Sequence, residues 1–268
     1  MTPFLRRFGG VGRLYGAEGL SRLREAHACV VGLGGVGSWG VEALARSGLG
    51  ELTLVDLDEV CISNVNRQLH ALDGELGKPK VEVMAQRVRA INPDCLVHPQ
   101  HSLLLKSNAD EILGAGFAAV LDAIDSPSLK SLLIARCHAH GIPVVTTGGA
   151  GGRRDPTRIE VTDLAFSSHD RLLQEVRSQL RTEYGFPRGG RPFGVECVLS
   201  REPAVYPAKD GSVCTRRSDA ADLRLDCSSG FGTASFVTGT FGLVAASRIV
   251  HLLVASPRLC GTGEAKAT

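Results

Sequence analysis

The stretch from Val30 to Asp58, VVGLGGVGSWGVEALARSGLGELTLVDLD, constrains the fold of this chain more than any other. An apolar run leads into a glycine turn with the spacing Gly32-x-Gly34-x-x-Gly37, and a helical pattern follows. Glycines so spaced allow a tight turn and a close approach of the backbone to a phosphate, which the helix N-terminus also attracts. Asp56 ends the next apolar run, where a carboxylate accepts hydrogen bonds from ribose hydroxyls. The stretch therefore predicts a nucleotide-binding site.

Apolar runs alternate with helical patterns along the first half of the chain. The predicted strands are 28–31, 52–56, 95–101, 118–126 and 142–149, and the predicted helices are 17–24, 36–47, 77–92, 108–113 and 128–140. This alternation predicts an α/β fold with a Rossmann-like, doubly wound and mainly parallel sheet. After Gly148 the pattern changes to a lone strand at Arg158–Asp163, an arginine-rich amphipathic helix from near Ser168 and a further strand. The second half thus predicts a smaller antiparallel and helical extension.

The charge and the cysteine pattern exclude several classes of protein. A formal net charge of +2 does not by itself indicate nucleic acid binding. The eight cysteines include no C-x-x-C pair, which excludes a zinc knuckle and a thioredoxin motif. Arg6 and Arg7 lie where a signal peptide would have its apolar segment, and scattered thiols without an export signal are typical of a reducing cytosol. We therefore expect a cytoplasmic protein.

One apolar stretch, Phe231–Ala246, raises the question of a membrane. Its length of about 16 residues is shorter than the ~20 that a membrane span needs. Arg248 and His251 then interrupt the apolar pattern. We expect a buried helix here, and no contact with a membrane.

The residues after the second predicted strand decide between a dinucleotide that carries hydride and ATP that activates a substrate. Backbone amides can hold a dinucleotide pyrophosphate, whereas the phosphates of ATP need side-chain cations and the accompanying metal needs a carboxylate. Arg67 and Lys80 supply cations, and Asp125 follows the fourth strand at the edge where open sheets bind ligands. Asn64 and Gln68 add neutral groups beside Arg67. The combination favours ATP with Mg²⁺.

These motifs, from GLGGVGS through SNVNRQ, GKPKVE and INP to DAIDS, resemble the adenylating superfamily that includes the ThiF and MoeB activators and the ubiquitin-activating enzymes. Members of that superfamily convert a carboxylate into an acyl-adenylate and release pyrophosphate. The resemblance implies ATP held by Gly32, Gly34, Gly35 and Gly37, with Asp56 at the ribose, Asn64, Arg67 and Lys80 at the phosphates, and Asp125 as the catalytic carboxylate and magnesium ligand. Asp58 and Gln68 complete the predicted ATP-binding residues.

Two features depart from that superfamily. The zinc-binding C-x-x-C pairs that are common there are missing from this sequence. The start RRFGGVGRLYG replaces the usual R-Y-x-R-Q, so that Arg7 and Arg13 are candidates for a catalytic arginine finger, although neither has the family spacing. Which arginine serves, if any, stays open.

The motifs RRFGGVGRLYG, TTGGAGGRRDPT, VTDLA and DCSSGFGTASFVTGTFG resemble a tRNA-modifying branch of the superfamily, over nearly the whole chain. This resemblance implies a substrate in tRNA, a threonylcarbamoyl-modified adenosine beside the anticodon, whose carboxylate is activated by ATP and closed into a ring with loss of water. We accordingly expect an adenylation core at 1–149, a part for tRNA binding and dimerisation within the same fold at 150–256, and a disordered tail at 257–268. A homodimer is implied, and a cysteine desulfurase or sulfur acceptor as a partner stays open.

A tRNA anticodon arm is a dense polyanion, so its binding depends on phosphate contacts. Because the net charge is small, the cations must be gathered locally. Arg177 and Arg181 lie four residues apart and share one helix face. The predicted substrate-binding residues are Arg153, Arg154, Arg177, Arg181, Arg188 and Arg191, with Arg171, Arg216 and Arg217 nearby. A solvated basic helix is the alternative.

Two other functions are weighed against a tRNA-modifying adenylating enzyme. A sulfur-carrier-protein adenylyltransferase of the ThiF or MoeB kind is disfavoured by the missing zinc cysteines and the arginine-rich second half. A nicotinamide-dependent dehydrogenase is disfavoured by Arg67, Lys80 and Asp125. Because the attacking group in the cyclisation belongs to the substrate, we expect no nucleophilic role for Cys197 or Cys227 and interpret them as inert thiols.

Overall fold

The computed structural model describes residues 1–208, 210–215 and 231–255. Seven strands form one sheet in the order β3-β2-β1-β4-β5-β7-β6. The strands are β1 His27–Val31, β2 Glu51–Val55, β3 Leu96–Gln100, β4 Ala119–Asp122, β5 Val144–Thr147, β6 Ile159–Asp163 and β7 Glu196–Ser200. Neighbouring strands are parallel except for β6 and β7, which are antiparallel. A two-stranded antiparallel sheet of β8 Tyr206–Pro207 and β9 Val213–Cys214 follows.

Helices cover both faces of the sheet, as the predicted doubly wound architecture requires. They are α1 Pro3–Glu25, α2 Gly37–Arg46, α3 Lys80–Ile91, α4 Ala109–Leu113, α5 Pro127–His140, α6 Arg171–Glu183 and α7 Ser235–Ala255. One apolar core holds Leu23, Val41, Met84 and Phe241, and the second holds Leu113, Ile134 and Val176. The order of strands reverses between β1 and β4, and at such a point open sheets bind ligands beyond the carboxyl ends of their strands. The predicted α/β, Rossmann-like fold is confirmed.

The first helix begins much earlier than the predicted 17–24. The hydroxyl of Thr2 accepts a hydrogen bond from the amide of Leu5 (3.3 Å), and Pro3 opens the helix. The glycine-rich sequence around Gly9 has low helix propensity, but burial of Phe4 and Phe8 outweighs it. Gly16, with φ 76°, breaks the helix, so the predicted segment is its second half.

The last helix has 21 residues and extends beyond the apolar stretch that ends at Ala246. It continues through Arg248, whose guanidinium forms two hydrogen bonds with Glu196 of β7 (2.7 and 2.8 Å). Among the described residues it is the one helix long and apolar enough to span a membrane, and 56% of its most apolar window is buried. Gly242 packs so closely on α2 that an added Cβ would lie 2.3 Å from the carbonyl oxygen of Val36. Packing in the core thus accounts for the apolar character of α7.

The two halves of the chain share one sheet, because β7 pairs with β5 and β6 pairs with β7. Helix α7 crosses back to pack against α2 in the first half. The division at residue 149 stays a prediction about function. The tail at 257–268 lies outside the described residues.

Candidate nucleotide site

The glycine loop between β1 and α2 adopts a conformation that side chains would prevent. Gly32 has φ 91°, and a Cβ there would lie 2.8 Å from the carbonyl oxygen of Ala123. At Gly37 a Cβ would lie 1.8 Å from the carbonyl oxygen of Gly32, so only glycine allows this turn. No described atom lies within 4 Å of a Cβ built on Gly34, which faces open space. The loop is therefore held tightly on the protein side and is open on the side where a phosphate would bind.

Asp56 follows β2 and is held against this loop. Its Oδ2 accepts a hydrogen bond from the backbone N–H of Leu33 (2.5 Å), and its Oδ1 accepts one from Asp58 (2.8 Å). Burial raises the pKa of Asp56, and the hydrogen bond from Leu33 and the charge of Lys80 oppose that rise. The carboxylate is thus oriented beside the glycine turn, at the position that a ribose acceptor needs.

Lys80 is the first residue of α3. It is positioned near Asp56 by backbone hydrogen bonds between the segment that precedes α3 and the segment that follows Asp56. The amide of Lys80 donates to the carbonyl of Asp58 (3.0 Å), and the amide of Val60 donates to the carbonyl of Lys78 (2.9 Å). The side chain of Lys80 is 94% buried. Its ammonium lies 2.7 Å from the carboxylate of Asp58, whose side chain is 70% exposed. A buried cation whose partner is an exposed carboxylate can exchange that partner for a phosphate.

Arg67 lies beside the glycine loop, on a segment that is hydrogen-bonded to residues of α2. The indole N–H of Trp39 donates to the carbonyl of Arg67 (3.1 Å), and the hydroxyl of Ser38 accepts from the amide of Leu69 (3.3 Å). The Arg67 Cγ lies 3.3 Å from a Cβ built on Gly35. The glycine loop therefore lies against both Arg67 and Asp56, with the charge of Lys80 close to Asp56, and the roles of these residues in ATP binding stay a prediction.

Asn64 and Gln68 are both buried beside Arg67, but they differ in their contacts. The Oδ1 of Asn64 accepts from the amide of Cys61 (3.0 Å), so its carbonyl end closes a local turn. The Oε1 of Gln68 has no hydrogen-bond partner in the described structure. His70, which sequence analysis missed, is 1% exposed and has neither ring nitrogen paired. Burial and the nearby Lys80 lower the pKa of His70 to about 4, so its ring is neutral.

Asp125 is exposed on the loop after β4, at the same edge of the sheet as the glycine loop. The amide of Ala123 donates to the carbonyl of Val31 (2.9 Å), which ties this loop to the end of β1. The exposed carboxylate of Asp125 fits the donor chemistry of Mg²⁺, which prefers one or two carboxylates together with water and phosphate oxygens.

A buried ion pair beneath this edge was missed by sequence analysis. The ammonium of Lys130 lies 2.9 Å from the Oδ2 of Asp122, and both side chains are 0% exposed. Thr146 donates to the same carboxylate oxygen (2.7 Å), and the Oδ1 accepts from the amide of Ile124 (3.1 Å). The pair therefore joins α5, β4 and β5 and orients the loop that carries Asp125. A lysine within the apolar pattern of α5, eight residues after Asp122, was the available signal.

Arg7 and Arg13 are not brought to the glycine loop of the same chain. Arg7 lies with Arg46 and Ile91, at the carboxyl ends of α2 and α3 and hence at the opposite edge of the sheet. The Nη1 and Nη2 of Arg13 lie beside its own helix, 3.9 Å from a Cβ built on Gly9 and 3.8 Å from a Cβ built on Gly10. Contacts within one chain give no support for an arginine finger at either residue.

Comparison with known proteins agrees with this geometry. The model of the ThiF family matches residues 10–266. The chain belongs to the ThiF family. It is 48% identical over 252 residues to the tRNA threonylcarbamoyladenosine dehydratase of Escherichia coli (strain K12), covering 93% of this chain and 94% of that protein. It is 46% identical to the Haemophilus influenzae protein of the same name, again covering 93% and 94%. A crystal structure of the Escherichia coli enzyme in complex with ATP has a TM-score of 0.83 at 45% identity, covering 94% of this chain and 95% of that one.

The arginines in the second half of this ThiF family chain differ in burial and in hydrogen-bond partners. Arg153 is 94% buried, donates one hydrogen bond to the carbonyl of His169 (2.8 Å), and has two other guanidinium nitrogens, Nε and Nη1, without a partner in the described structure. Burial lowers the pKa of Arg153. Arg154 is 67% exposed, and its backbone amide donates to Glu202 (2.7 Å).

The helix face predicted for tRNA binding is partly engaged in the fold. Arg177 donates to the carbonyl of Ser167, and Arg181 stacks over the ring of Phe193, with its Cζ 5.1 Å from the ring centre. Their predicted role as freely presented cations is therefore weakened, because both hold α6 against neighbouring loops. Arg188 and Arg191 lie on the loop after α6 and are exposed. Arg216 and Arg217 lie outside the described residues.

The burial and the pKa of Cys197 agree with the interpretation of this cysteine as inert. Cys197 in β7 is completely buried, and burial raises the pKa of its thiol well above the ordinary value, with the charge of Asp170 adding to the rise. The sulfur of Cys214 donates a weak hydrogen bond to the carbonyl of Tyr206 (3.6 Å). A nucleophilic cysteine needs a lowered pKa and access to the substrate, and Cys197 has neither. Cys227 lies outside the described residues.

Proposed function

We propose that this chain is an ATP-dependent tRNA-modifying enzyme that cyclises N6-threonylcarbamoyladenosine by adenylating its threonyl carboxylate. The observation that carries the proposal is the 48% identity to the Escherichia coli dehydratase over 93% of the chain. That match includes the second half, where adenylating enzymes with other substrates would differ. The complex of the Escherichia coli enzyme with ATP supports ATP as the nucleotide.

The first step is transfer of AMP to the substrate. A carboxylate oxygen of the threonyl group attacks the α-phosphorus of ATP, the bond to the β-phosphate breaks, and pyrophosphate leaves. The glycine loop and Asp56 hold the nucleotide, while Arg67 and Lys80 stabilise the charge that develops on the phosphates. Mg²⁺, held by Asp125, would neutralise phosphate charge.

The second step closes the ring. A nucleophile within the same side chain attacks the activated carbonyl, AMP leaves with the former carboxylate oxygen, and the nucleophile gives up its proton. Because the two groups are tethered, effective molarities of ~10⁵ M or more are available without an enzyme nucleophile. The net change is loss of water from the substrate, with ATP converted into AMP and pyrophosphate.

Assembly and location belong to the same proposal. We infer a cytoplasmic homodimer with 1–149 as the adenylation core and 150–256 contributing tRNA binding and dimerisation. Phe236 and Leu243, on the outer side of α7, are 58% and 48% exposed, which supports this helix as part of an interface. A cysteine desulfurase or sulfur acceptor as a further partner has no support in the described contacts.

The alternative is a sulfur-carrier-protein adenylyltransferase, and release of pyrophosphate separates the two functions. The enzyme is incubated with ATP and either threonylcarbamoyl-modified tRNA, unmodified tRNA or a carrier protein ending in Gly-Gly. We expect release only with the modified tRNA, together with the cyclised nucleoside in its digest. Release that depends on the carrier protein alone would establish the alternative.

Replacing the cysteines is expected to leave cyclisation largely intact. Cys197→Ala and Cys214→Ser should each retain ring formation within a few-fold of wild type, because the attacking group belongs to the substrate. The measurement is single-turnover formation of the cyclic nucleoside by mass spectrometry. Cys227→Ser is tested alongside them. A folded cysteine variant that adenylates but never closes the ring would instead indicate a covalent acyl-enzyme.

Removing the exposed arginines after α6 is expected to weaken tRNA binding. Arg188→Ala/Arg191→Ala should lower tRNA affinity and reduce the slope of log Kd against log salt by up to ~1.4 to 1.8, because each lost phosphate contact removes released counterions. ATP affinity should not change. The measurement is a fluorescence titration of labelled tRNA over a series of salt concentrations.

The matched control for this variant is Arg46→Ala/Arg89→Ala, which removes the same charge at the carboxyl ends of α2 and α3. Its salt slope should equal that of wild type. Arg177 and Arg181 are left in place because their contacts support the fold. Equal slopes for the Arg188/Arg191 variant and wild type would move the docking surface elsewhere.

A further inference from the structure

Three metal-ligating side chains meet at the amino-terminal edge of the sheet, opposite the glycine loop. His27 opens β1 and Glu51 opens β2, and these two residues are register partners. His98 lies in β3 opposite Thr53, two residues further along β2. Side chains at these positions share one face of the sheet. The ligand atoms of His27, Glu51 and His98 all lie within 4.8 Å of one another.

The distances within this cluster resemble those around a shared cation. The Oε1 of Glu51 lies 3.6 Å from the Nδ1 of His27, which is too long for a hydrogen bond. It is close to the ~3.3 Å that separates two ligands of one tetrahedral zinc ion with bonds of about 2.0 to 2.1 Å. The Nε2 of His98 lies 2.7 Å from the same oxygen, at a hydrogen-bond distance, and its side chain is 47% exposed; a bound cation would replace this hydrogen bond.

The ring of His27 is already oriented as a metal ligand. Its Nε2 lies 2.9 Å from the hydroxyl of Thr53, and when Nε2 donates to that oxygen, Nδ1 directs its lone pair toward Glu51. Metal-bound histidines commonly have such a partner on the second nitrogen. Phe117 packs edge-on against the ring, with centroids 4.7 Å apart.

We propose that His27, Glu51 and His98 bind a divalent transition-metal cation, and that Zn²⁺ is the ion that two imidazoles and one carboxylate fit best. The exposed side of His98 leaves a fourth position for water. Bound metal would link β1, β2 and β3 at the edge remote from the nucleotide. Its expected effect is therefore on stability, and the proposal does not depend on the adenylation function.

Calorimetric titration of the metal-free full chain with ZnCl₂ tests this site. Wild type should bind one zinc ion that is lost, or weakened at least ~100-fold, in His98→Gln and in Glu51→Gln, since even supporting residues of metal sites contribute 10- to 100-fold. Thr53→Val, which keeps all three ligands, should weaken zinc about tenfold. Zinc should raise the Tm of wild type and not that of His98→Gln.

The matched control is His140→Gln. His140 also lies beside a carboxylate, 3.2 Å from Asp110, but within the part of the chain that the structure describes it belongs to no group of three metal-ligating side chains. It should bind zinc and gain Tm as wild type does. ATP-dependent pyrophosphate release should be equal in wild type and His98→Gln. Zinc binding that is equal in wild type, His98→Gln and Glu51→Gln, or an unchanged Tm of wild type in zinc, would overturn the proposal.

Discussion

Asp125→Ala is expected to abolish formation of the cyclic nucleoside, with tRNA binding retained. Asp125 is exposed on the loop after β4, at the edge where the glycine loop and Lys80 meet, and it is the carboxylate that we assign to Mg²⁺. Without it the charge on the departing pyrophosphate is poorly neutralised. Arg67→Ala and Lys80→Ala should each cost ~2–4 kcal/mol of transition-state stabilisation. Pyrophosphate exchange and nucleoside mass spectrometry measure the two steps separately.

The control for Asp125→Ala is Asp94→Ala, another exposed carboxylate, between α3 and β3 at the opposite edge. It should react as wild type does. Because Lys80 is buried, the Tm of its variant is measured so that lost packing is not mistaken for lost catalysis. Full ring formation by a folded Asp125→Ala enzyme would refute the role that we assign to this carboxylate.

The parts of the predicted site whose placement follows most directly from the sequence are those fixed by local geometry. Gly37 needs its conformation because the carbonyl oxygen of Gly32, a few residues away, leaves no room for a Cβ, and Asp56 follows directly from the end of β2. Lys80 opens a helix, as its position after Pro79 suggested. In each case a residue type and its place relative to one strand or helix end were sufficient.

The features that the sequence did not predict depend on contacts between distant segments. Arg177 and Arg181 share a helix face, but only the fold shows that Ser167 and Phe193 already occupy them. Helix α1 begins at Pro3 because burial of Phe4 and Phe8, which cluster with Leu20 beyond the break at Gly16, outweighs weak local propensity. A pattern of charges along the chain gives the face of a helix without showing what covers that face.

The pair of Lys130 and Asp122 belongs to the same class, because neither residue alone indicates a fully buried ion pair. Its importance is for stability as well as for the site. Asp122 accepts hydrogen bonds from Thr146 and from the amide of Ile124, on the loop that leads to Asp125. A loss of Lys130 would leave a buried carboxylate with neutral donors only, which is costly in the low dielectric of the interior.

Lys130→Met is therefore expected to lower the free energy of unfolding by ~3–5 kcal/mol, since removal of one partner leaves an uncompensated buried charge. Lys130→Met/Asp122→Asn should recover more than half of that loss, because the amide removes the charge while its oxygen still accepts from Ile124. Denaturant unfolding of wild type, both single variants and the double variant completes the cycle. If the double variant is as unstable as Lys130→Met, the loss comes from packing of the lysine stem, and the ion pair is not what stabilises this edge of the sheet.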